Sequence, residues 1–345
     1  MIKSLSVQNF RKHADFAMNF KEGATIITGA NGSGKTSLIE AIYIALQGKS
    51  WRSNFTEILR DDGKEPADWW RIDLEFARGE KRTIKFSNNI KTFEVNGQKT
   101  ARLPTKFKKP VILFEPNDLQ LLYGSPARRR DFFDRFIVQI EPSHAVNLRK
   151  FERILRQRNN LLKHGTTADE LFVWDLQFAD LAEKIISARE RWISEIDKSL
   201  TKKYQEIANN RDEINIKYLA PHKSHQKILA QLAQDFAENW PFTRSGPQTH
   251  DIKFTINGHI AKLSASRGEN RTIIFAILMA MTEILSQTLD QKIYLLFDDI
   301  DSELDAARRG ELYKSKTFAD NYLFATTIKA NSGDMPKINI IKLKS

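Results

Sequence analysis

A chain of 345 residues, 41% apolar and 28% charged, has material for one large globular domain or two to three ordinary ones. It contains no cysteine, which excludes disulfides, thiolate metal sites and cysteine nucleophiles. The net charge of +11 suits a polyanionic partner as readily as it suits plain solubility.

The opening residues, MIKSLSVQNFRKH, show no apolar core and no cleavage site of a secretory signal. The longest apolar run, near residues 273–281, falls well short of the roughly 20 residues that span a bilayer. A cytoplasmic protein is expected. IKSLSVQNF and ATIITG are rich in β-branched residues and read as strands. The segment GANGSGKT follows at 29–36. Then Leu38, Ile39, Ile42, Tyr43 and Leu46 recur at helical spacing. Residues 71–95 alternate apolar and polar around Gly and Asn turns, an antiparallel meander. PVILF at 110–114 reads as a buried strand.

From 126 to about 239 the chain is charged and long-helical. Leu148, Phe151, Ile154 and Leu155 share one helix face, and Leu171, Trp174, Leu176, Phe178 and Leu181 approximately share another. Gly165-Thr-Thr lies between them, so the pattern predicts two antiparallel helices forming an arm. It fits an ordinary helical domain equally. Strand–helix alternation returns after GPQTHDIKFTING, with a helix near 270–289, a strand at 292–297, a helix at 305–313 and a strand at 322–326. The expected organisation is an α/β domain whose halves, 1–125 and 246–345, are split by a helical insertion at 126–245.

GANGSGKT matches the P-loop pattern G-x-x-x-x-G-K-[ST]. Its glycines let successive N–H groups turn toward phosphate oxygens, Lys35 supplies a point charge, and Thr36 supplies a hydroxyl to Mg²⁺. The plain alternative is a glycine-rich turn without a ligand. IYLLFDD, 293–299, is a buried strand ending in two carboxylates, the Walker B arrangement. Asp298 would hold Mg²⁺ and Asp299 would polarise the attacking water, unless the pair merely caps a turn.

LSASRGENR, 263–271, opens an apolar helix with Ser, Ser and Gly, a start suited to an anion. The alternative is a helix simply capped by Ser264 or Ser266. Ser266-x-Gly268-Glu269 resembles the signature motif of ABC-type ATPases, which covers the γ-phosphate held by the P-loop of a second chain. DSELD, 301–305, resembles the D-loop that crosses the same interface, with Ser302, Leu304 and Asp305 in its key places. Nearly end to end the chain resembles the RecF family, small relatives of the SMC proteins. NFR at 9–11, GANGSGKTSLIEAI, GKSWR at 48–52, RDDGKEPADWWR, VILFEPNDLQLLYGSPARRRDFFD, LRQRNNLLK, ASRGENRT and LLFDDIDSELDAARR carry that resemblance.

The resemblance implies an ABC-type ATPase head, an α/β P-loop NTPase fold, with an inserted helical arm. Such a protein binds ATP, Mg²⁺ and DNA (single-stranded, double-stranded or gapped), dimerises around ATP, and hydrolyses it slowly as a weak DNA-dependent ATPase. It helps load RecA at gaps in DNA replication, repair, recombination and the SOS response, with RecO- and RecR-type partners and no membrane. The implied ATP ligands are Gly29, Asn31, Gly32, Ser33, Gly34, Lys35, Thr36 and Ser37, with Thr36 and Asp298 on Mg²⁺. Lys35, Asp298 and Asp299 are the implied catalytic set, and Ser266, Gly268 and Glu269 complete the partner chain's site. FEPNDL, 114–119, stands at the Q-loop region, with Asn117 the contacting candidate. SRGEN departs from the usual Gln-rich form by placing Arg267 and Glu269 where neutral groups are common. Thr326 and Thr327 stand where many ABC proteins have His, and GPQTHD is less basic than the family's usual loop.

Arg128, Arg129 and Arg130 open the arm and are the expected DNA contacts, followed by Arg149, Lys150, Arg153, Arg156 and Arg158. The interleaved acids Asp131, Asp134 and Glu152 make a solvated helix face the plain alternative. An SMC-like structural or defence-system ATPase would need a longer coiled coil and a hinge or zinc hook. A transporter's energising subunit would need its signature motif much closer to the P-loop. A small-molecule P-loop kinase would have no use for the Ser266 motif.

Overall fold

The computed structural model describes residues 1–60, 67–300, 306–328 and 338–343. In chain order the regular elements are β1 (Ile2–Phe10), β2 (His13–Asn19), β3 (Ala24–Thr28), α1 (Lys35–Gln47), β4 (Trp69–Phe76), β5 (Lys81–Ser87), β6 (Ile90–Val95), β7 (Gln98–Thr100) and β8 (Val111–Phe114). There follow α2 (Pro126–Ile140), α3 (Pro142–His164), α4 (Ala168–Ala208), β9 (Ile214–Leu219), α5 (His225–Ala237), β10 (Asp251–Ile256), β11 (His259–Ile260), α6 (Ala261–Ser264) and α7 (Arg267–Leu289). The chain closes with β12 (Tyr294–Phe297), α8 (Ala306–Lys314), α9 (Lys316–Ala319), β13 (Tyr322–Thr327) and β14 (Ile338–Lys342). Two compact units result, residues 1–116 with 290–345, and residues 117–289.

The strand-rich unit holds two sheets. One is antiparallel, in the order β2-β1-β4-β5-β6-β7; the other is wholly parallel, in the order β14-β3-β13-β12-β8. Along β4 the side chains Trp70, Ile72, Leu74 and Phe76 are buried while their neighbours are more exposed, the period-two signature of a sheet covered on one face. The β5–β6 and β6–β7 turns each take two residues, Asn88-Asn89 and Asn96-Gly97, and all four have positive φ. That is the turn whose twist suits a hairpin. Helix α1 contacts strands of both sheets, and every residue from 37 to 46 is buried. A helix buried all round belongs between layers. It ends at Gly48, whose φ of 76° lets its N–H return to the Ile44 carbonyl at 2.7 Å. Arg82, inward-facing on β5 where alternation predicts an apolar residue, donates to the Ala45 carbonyl at 2.7 Å and so satisfies the helix terminus.

In the helical unit, α3 and α4 form the expected hairpin. Gly165 turns with φ 81°, and Thr167 with Glu170 makes a reciprocal capping box that starts α4. Leu171, Phe178 and Leu181 are buried on α4, but Leu176 is exposed. Five residues beyond Leu171 it lies about 140° around the helix, off the shared face. The helical stretch also holds a strand not expected there: β9 pairs with β10, and β11 completes a three-stranded antiparallel sheet within this unit. Helix α7 lies in the same unit; it is 23 residues long and apolar enough to cross a membrane by length and composition, yet 72% of its apolar window is buried. It is a core helix of its unit.

A polar network runs through this core. Arg189 of α4 grips both oxygens of Asp134 at 2.9 and 2.7 Å, and donates to the Pro247 carbonyl at 2.7 Å and the Tyr218 hydroxyl at 3.3 Å. Tyr218 meets His250 Nδ1 at 2.9 Å. Burial first, then the cations Arg189 and Arg130, push His250 down to about 4. The unfolded chain protonates this residue near 6.5, so unfolding takes up a proton between those values and stability falls as pH falls through that window. Urea unfolding between pH 6.5 and 4 is expected to lose on the order of 3 kcal/mol from this residue, and His250→Asn to flatten that part of the profile.

Candidate active site

The loop from β3 to α1 carries Gly29 to Thr36. Gly32 and Gly34 adopt φ of 78° and 93°, left-handed values that any side chain would strain. A Cβ at Gly34 would lie 2.5 Å from His13 Nε2, so the loop is also closely covered. His13 Nε2 sits 3.1 Å from the Gly34 carbonyl; burial lowers its pKa, partly offset by that carbonyl. The Lys35 ammonium is buried and donates to the carbonyls of Gly29 at 2.8 Å and Ala30 at 3.0 Å. Ser33 Oγ is buried without a hydrogen-bond partner among the described residues.

Strand β12 brings the acids to this loop. In the parallel sheet its end stands two strands from that of β3, with β13 between, and ligands gather at such carboxyl ends. Thr36 Oγ1 lies 2.9 Å from both oxygens of Asp298. Thr326, fully buried on β13, donates to Asp298 Oδ1 at 2.7 Å and accepts the Asp299 N–H at 2.8 Å. One hydroxyl therefore fixes one acid's side chain and the next acid's backbone. Asp299 holds a φ of 53°. Burial raises the Asp298 carboxyl above its usual range, with Asp299 adding to the shift against the hydrogen bonds from Thr326 and Thr36. That is a place where a cation is wanted.

A second carboxylate lies deeper. Glu40, fully buried on α1, is held by Arg11 through Nε at 3.0 Å and Nη2 at 2.9 Å, and by Ser50 Oγ at 2.6 Å, with Arg52 at 3.9 Å. The NFR and GKSWR segments thus meet on one acid. Arg11 has a φ of 53° and also donates to the Glu57 carbonyl at 2.8 Å.

Ser266, Gly268 and Glu269 lie in the helical unit at the start of α7. Ser266 Oγ accepts the Glu269 N–H at 3.3 Å, and Glu269 Oε2 accepts the Ser266 N–H at 2.6 Å, a capping box. Ser266 is nevertheless exposed, whereas Ser264 donates to the Ile260 carbonyl and is no cap of α7. Leu119, Arg267, Asn270 and Arg271 line a depression of about 260 Å³ beside it. Asn117 is exposed and its carbonyl accepts from Arg128 at 3.0 Å. Arg129 is buried on Asp251 at 2.6 and 2.9 Å, and Arg130 donates to the His250 carbonyl at 2.6 Å. All three arginines are engaged within their own unit. Ser302, Leu304 and Asp305 lie outside the described residues.

Of the expected residues, the structure brings together Lys35, Thr36, Asp298 and Asp299. Sequence reasoning missed His13 and Glu40 and gave Thr326 no role; Glu40 had a signal, a lone acid on a helix with apolar residues on every side. The family model described as AAA ATPase domain matches residues 1–307. The DNA replication and repair protein RecF of Natranaerobius thermophilus is 30% identical, over all of this chain and 95% of its own. That of Lachnoclostridium phytofermentans is 28% identical, over 91% and 89%. The solved structure of the recombination mediator protein RecF-ATP in the RecFOR pathway is similar with a TM-score of 0.83 and 26% identity, covering 99% of this chain and 95% of that one. An Smc head bound to the C-winged helix domain of ScpA matches at 0.53 and 16% identity over 95% and 89%, a likeness of fold.

Thr326→Val keeps the shape and removes both hydrogen bonds. Urea unfolding followed by tryptophan fluorescence is expected to show a loss of about 2 kcal/mol, with Thr326→Ser recovering most of it.

Proposed function

This chain belongs to the RecF family of DNA replication and repair proteins, and from that premise we propose that it is a weak, DNA-dependent ATPase whose two copies close around ATP and Mg²⁺. The observation that carries this reading is the convergence of Lys35, Thr36, Asp298 and Asp299 at the carboxyl end of one parallel sheet.

The residues fit such ligands. Ser33 presents a buried hydroxyl without a partner among the described residues, and the loop glycines leave no Cβ between backbone and phosphate. Thr36 and Asp298 offer adjacent hard oxygens of the kind Mg²⁺ prefers. When bound, the metal supplies positive charge to phosphate oxygens. Lys35 exchanges two loop carbonyls for phosphate oxygens, and Asp298 keeps its orientation through Thr326. Asp299, its backbone fixed by the same threonine, orients and polarises the attacking water. Gly29, Asn31, Gly32, Gly34 and Ser37 complete the phosphate cradle. Ser266, Gly268 and Glu269 serve the nucleotide of a second copy, since an exposed hydroxyl at a helix N-terminus adds a donor to a positive dipole. The interface then lasts while the γ-phosphate is intact.

DNA, gapped or single-stranded, is the polymer on which the dimer acts, and assistance to RecA loading with RecO- and RecR-type proteins is the role that follows from the family. The net charge of +11 supports a polyanionic partner. The internal engagement of Arg129 and Arg130 leaves them as supports for the arm rather than contacts with DNA.

Ser266→Arg is expected to leave ATP binding by the single chain unchanged and to abolish ATP-dependent pairing in light scattering. Normal pairing by that variant would end the two-copy reading. Asp299→Asn is expected to keep ATP binding within a few-fold, lower turnover by about 100-fold and accumulate the dimer.

A further inference from the structure

The exposed charges of the helical unit are treated in two different ways. On α4 three of the four exposed cations are paired, Lys184 with Asp180, Lys198 with Glu195 and Arg191 with Glu141, and only Lys202 makes no ion pair with a described carboxylate. On α3 they are not. Arg149, Arg153, Arg156 and Lys163 are all exposed, and none makes an ion pair with a described carboxylate. Their spacing of four, three and seven residues, with Asn160 between, puts them within a band about 80° wide, opposite the face buried by Phe151, Ile154 and Arg158. Lys150 flanks the band, and Glu152 is the one carboxylate of α3. Four like charges held over about 21 Å, with Glu152 the single carboxylate at the edge of their band, repel one another and want a polyanion.

A second feature rests on the same helix. Thr243 takes the Asn159 side-chain oxygen through its N–H at 2.8 Å and its hydroxyl at 2.7 Å, and accepts from Arg158 at 2.9 Å. This pins the 240–245 segment to α3. The segment carries two large exposed rings, Trp240 and Phe242, with centroids 6.1 Å apart, and Arg244 stacks 3.9 Å over Trp240. Exposed aromatic faces with a stacked guanidinium, beside a one-sign stripe, are the two parts of a surface that takes bases and backbone together.

We propose that α3 and the 240–245 segment form a single-stranded DNA site on the arm, the phosphates following Arg149, Arg153, Arg156 and Lys163 and unpaired bases stacking on Trp240 and Phe242. The site rests on the reading of this protein as DNA-binding, and adds to it a location and a preference.

The test is fluorescence anisotropy of the full chain on a single-stranded oligonucleotide and on its duplex across a salt series. The variants are R149Q/R153Q/R156Q/K163Q and W240A/F242A, with ATP binding and circular dichroism as controls for folding. The four-fold variant is expected to flatten the plot of log K against log salt by about 3 on the single strand. The double variant is expected to weaken single-strand binding about ten-fold and leave the duplex within two-fold. If the unmodified chain binds steeply and the four-fold variant keeps its slope, the stripe is overturned while DNA binding stands; a negatively charged protein surface is then its occupant. If the double variant loses neither ligand, or both equally, the stacking assignment falls. If the unmodified chain binds no DNA at any salt, both this site and the function it rests on fall together.

Discussion

A helix that tolerates water on no side sets the plan of the strand-rich unit. From residue 37 to residue 46 every side chain of α1 is covered, so a sheet is required on each flank. The parallel sheet supplies one cover and the antiparallel sheet the other. With the helix fixed between them, its first turn cannot drift, and the glycine-rich loop that enters it is held against the ends of β3, β13 and β12. The geometry of Thr36 and Asp298 is therefore a consequence of apolar packing several residues away. The same enclosure explains Glu40. A carboxylate inside such a layer is tolerable only with its charge answered, and Arg11 and Ser50 answer it with three hydrogen bonds. Two segments remote in sequence are thus tied to the middle of the phosphate-loop helix.

Much of this was legible in the residues. Period-two alternation gave the meander, and the recurrence of Leu38, Ile39, Ile42 and Leu46 gave α1. Short loops with glycine or asparagine marked the turns because those residues accept positive φ. Strand β9 was missed although Ile214, Ile216 and Tyr218 alternate cleanly, since long helices on both sides dominate the composition there. The place of β10 was harder. Sequence order suggests that it rejoins the ATPase sheet, but its hydrogen bonds go to β9, and only pairing across more than thirty residues decides that.

Within the site, motif spacing identified the residues with intrinsic chemistry and passed over those that act by contact. Lys35, Thr36 and Asp298 carry charge or oxygen at diagnostic positions. Thr326 carries one hydroxyl in an apolar strand, and its use depends on the neighbour that the sheet order gives it. The arginines of the arm show the opposite relation between sequence and space. In sequence Arg128–Arg130 looks like one basic cluster; in space Arg129 is held by Asp251, and Arg128 and Arg130 donate to main-chain carbonyls, while cations farther along α3 stay in solvent.

The reciprocal cap at Ser266 has a consequence for what that position can become. The Ser266 oxygen accepts from its own helix, and the exposed hydroxyl keeps a proton to donate. The cap and the proposed contact with a second copy's nucleotide would thus use one atom through opposite polarities. Aspartate in its place would start the helix equally well and present a negative group outward, and alanine would forfeit both duties. Folding alone accepts several residues here; the proposed recognition of an anion would narrow them to a hydroxyl.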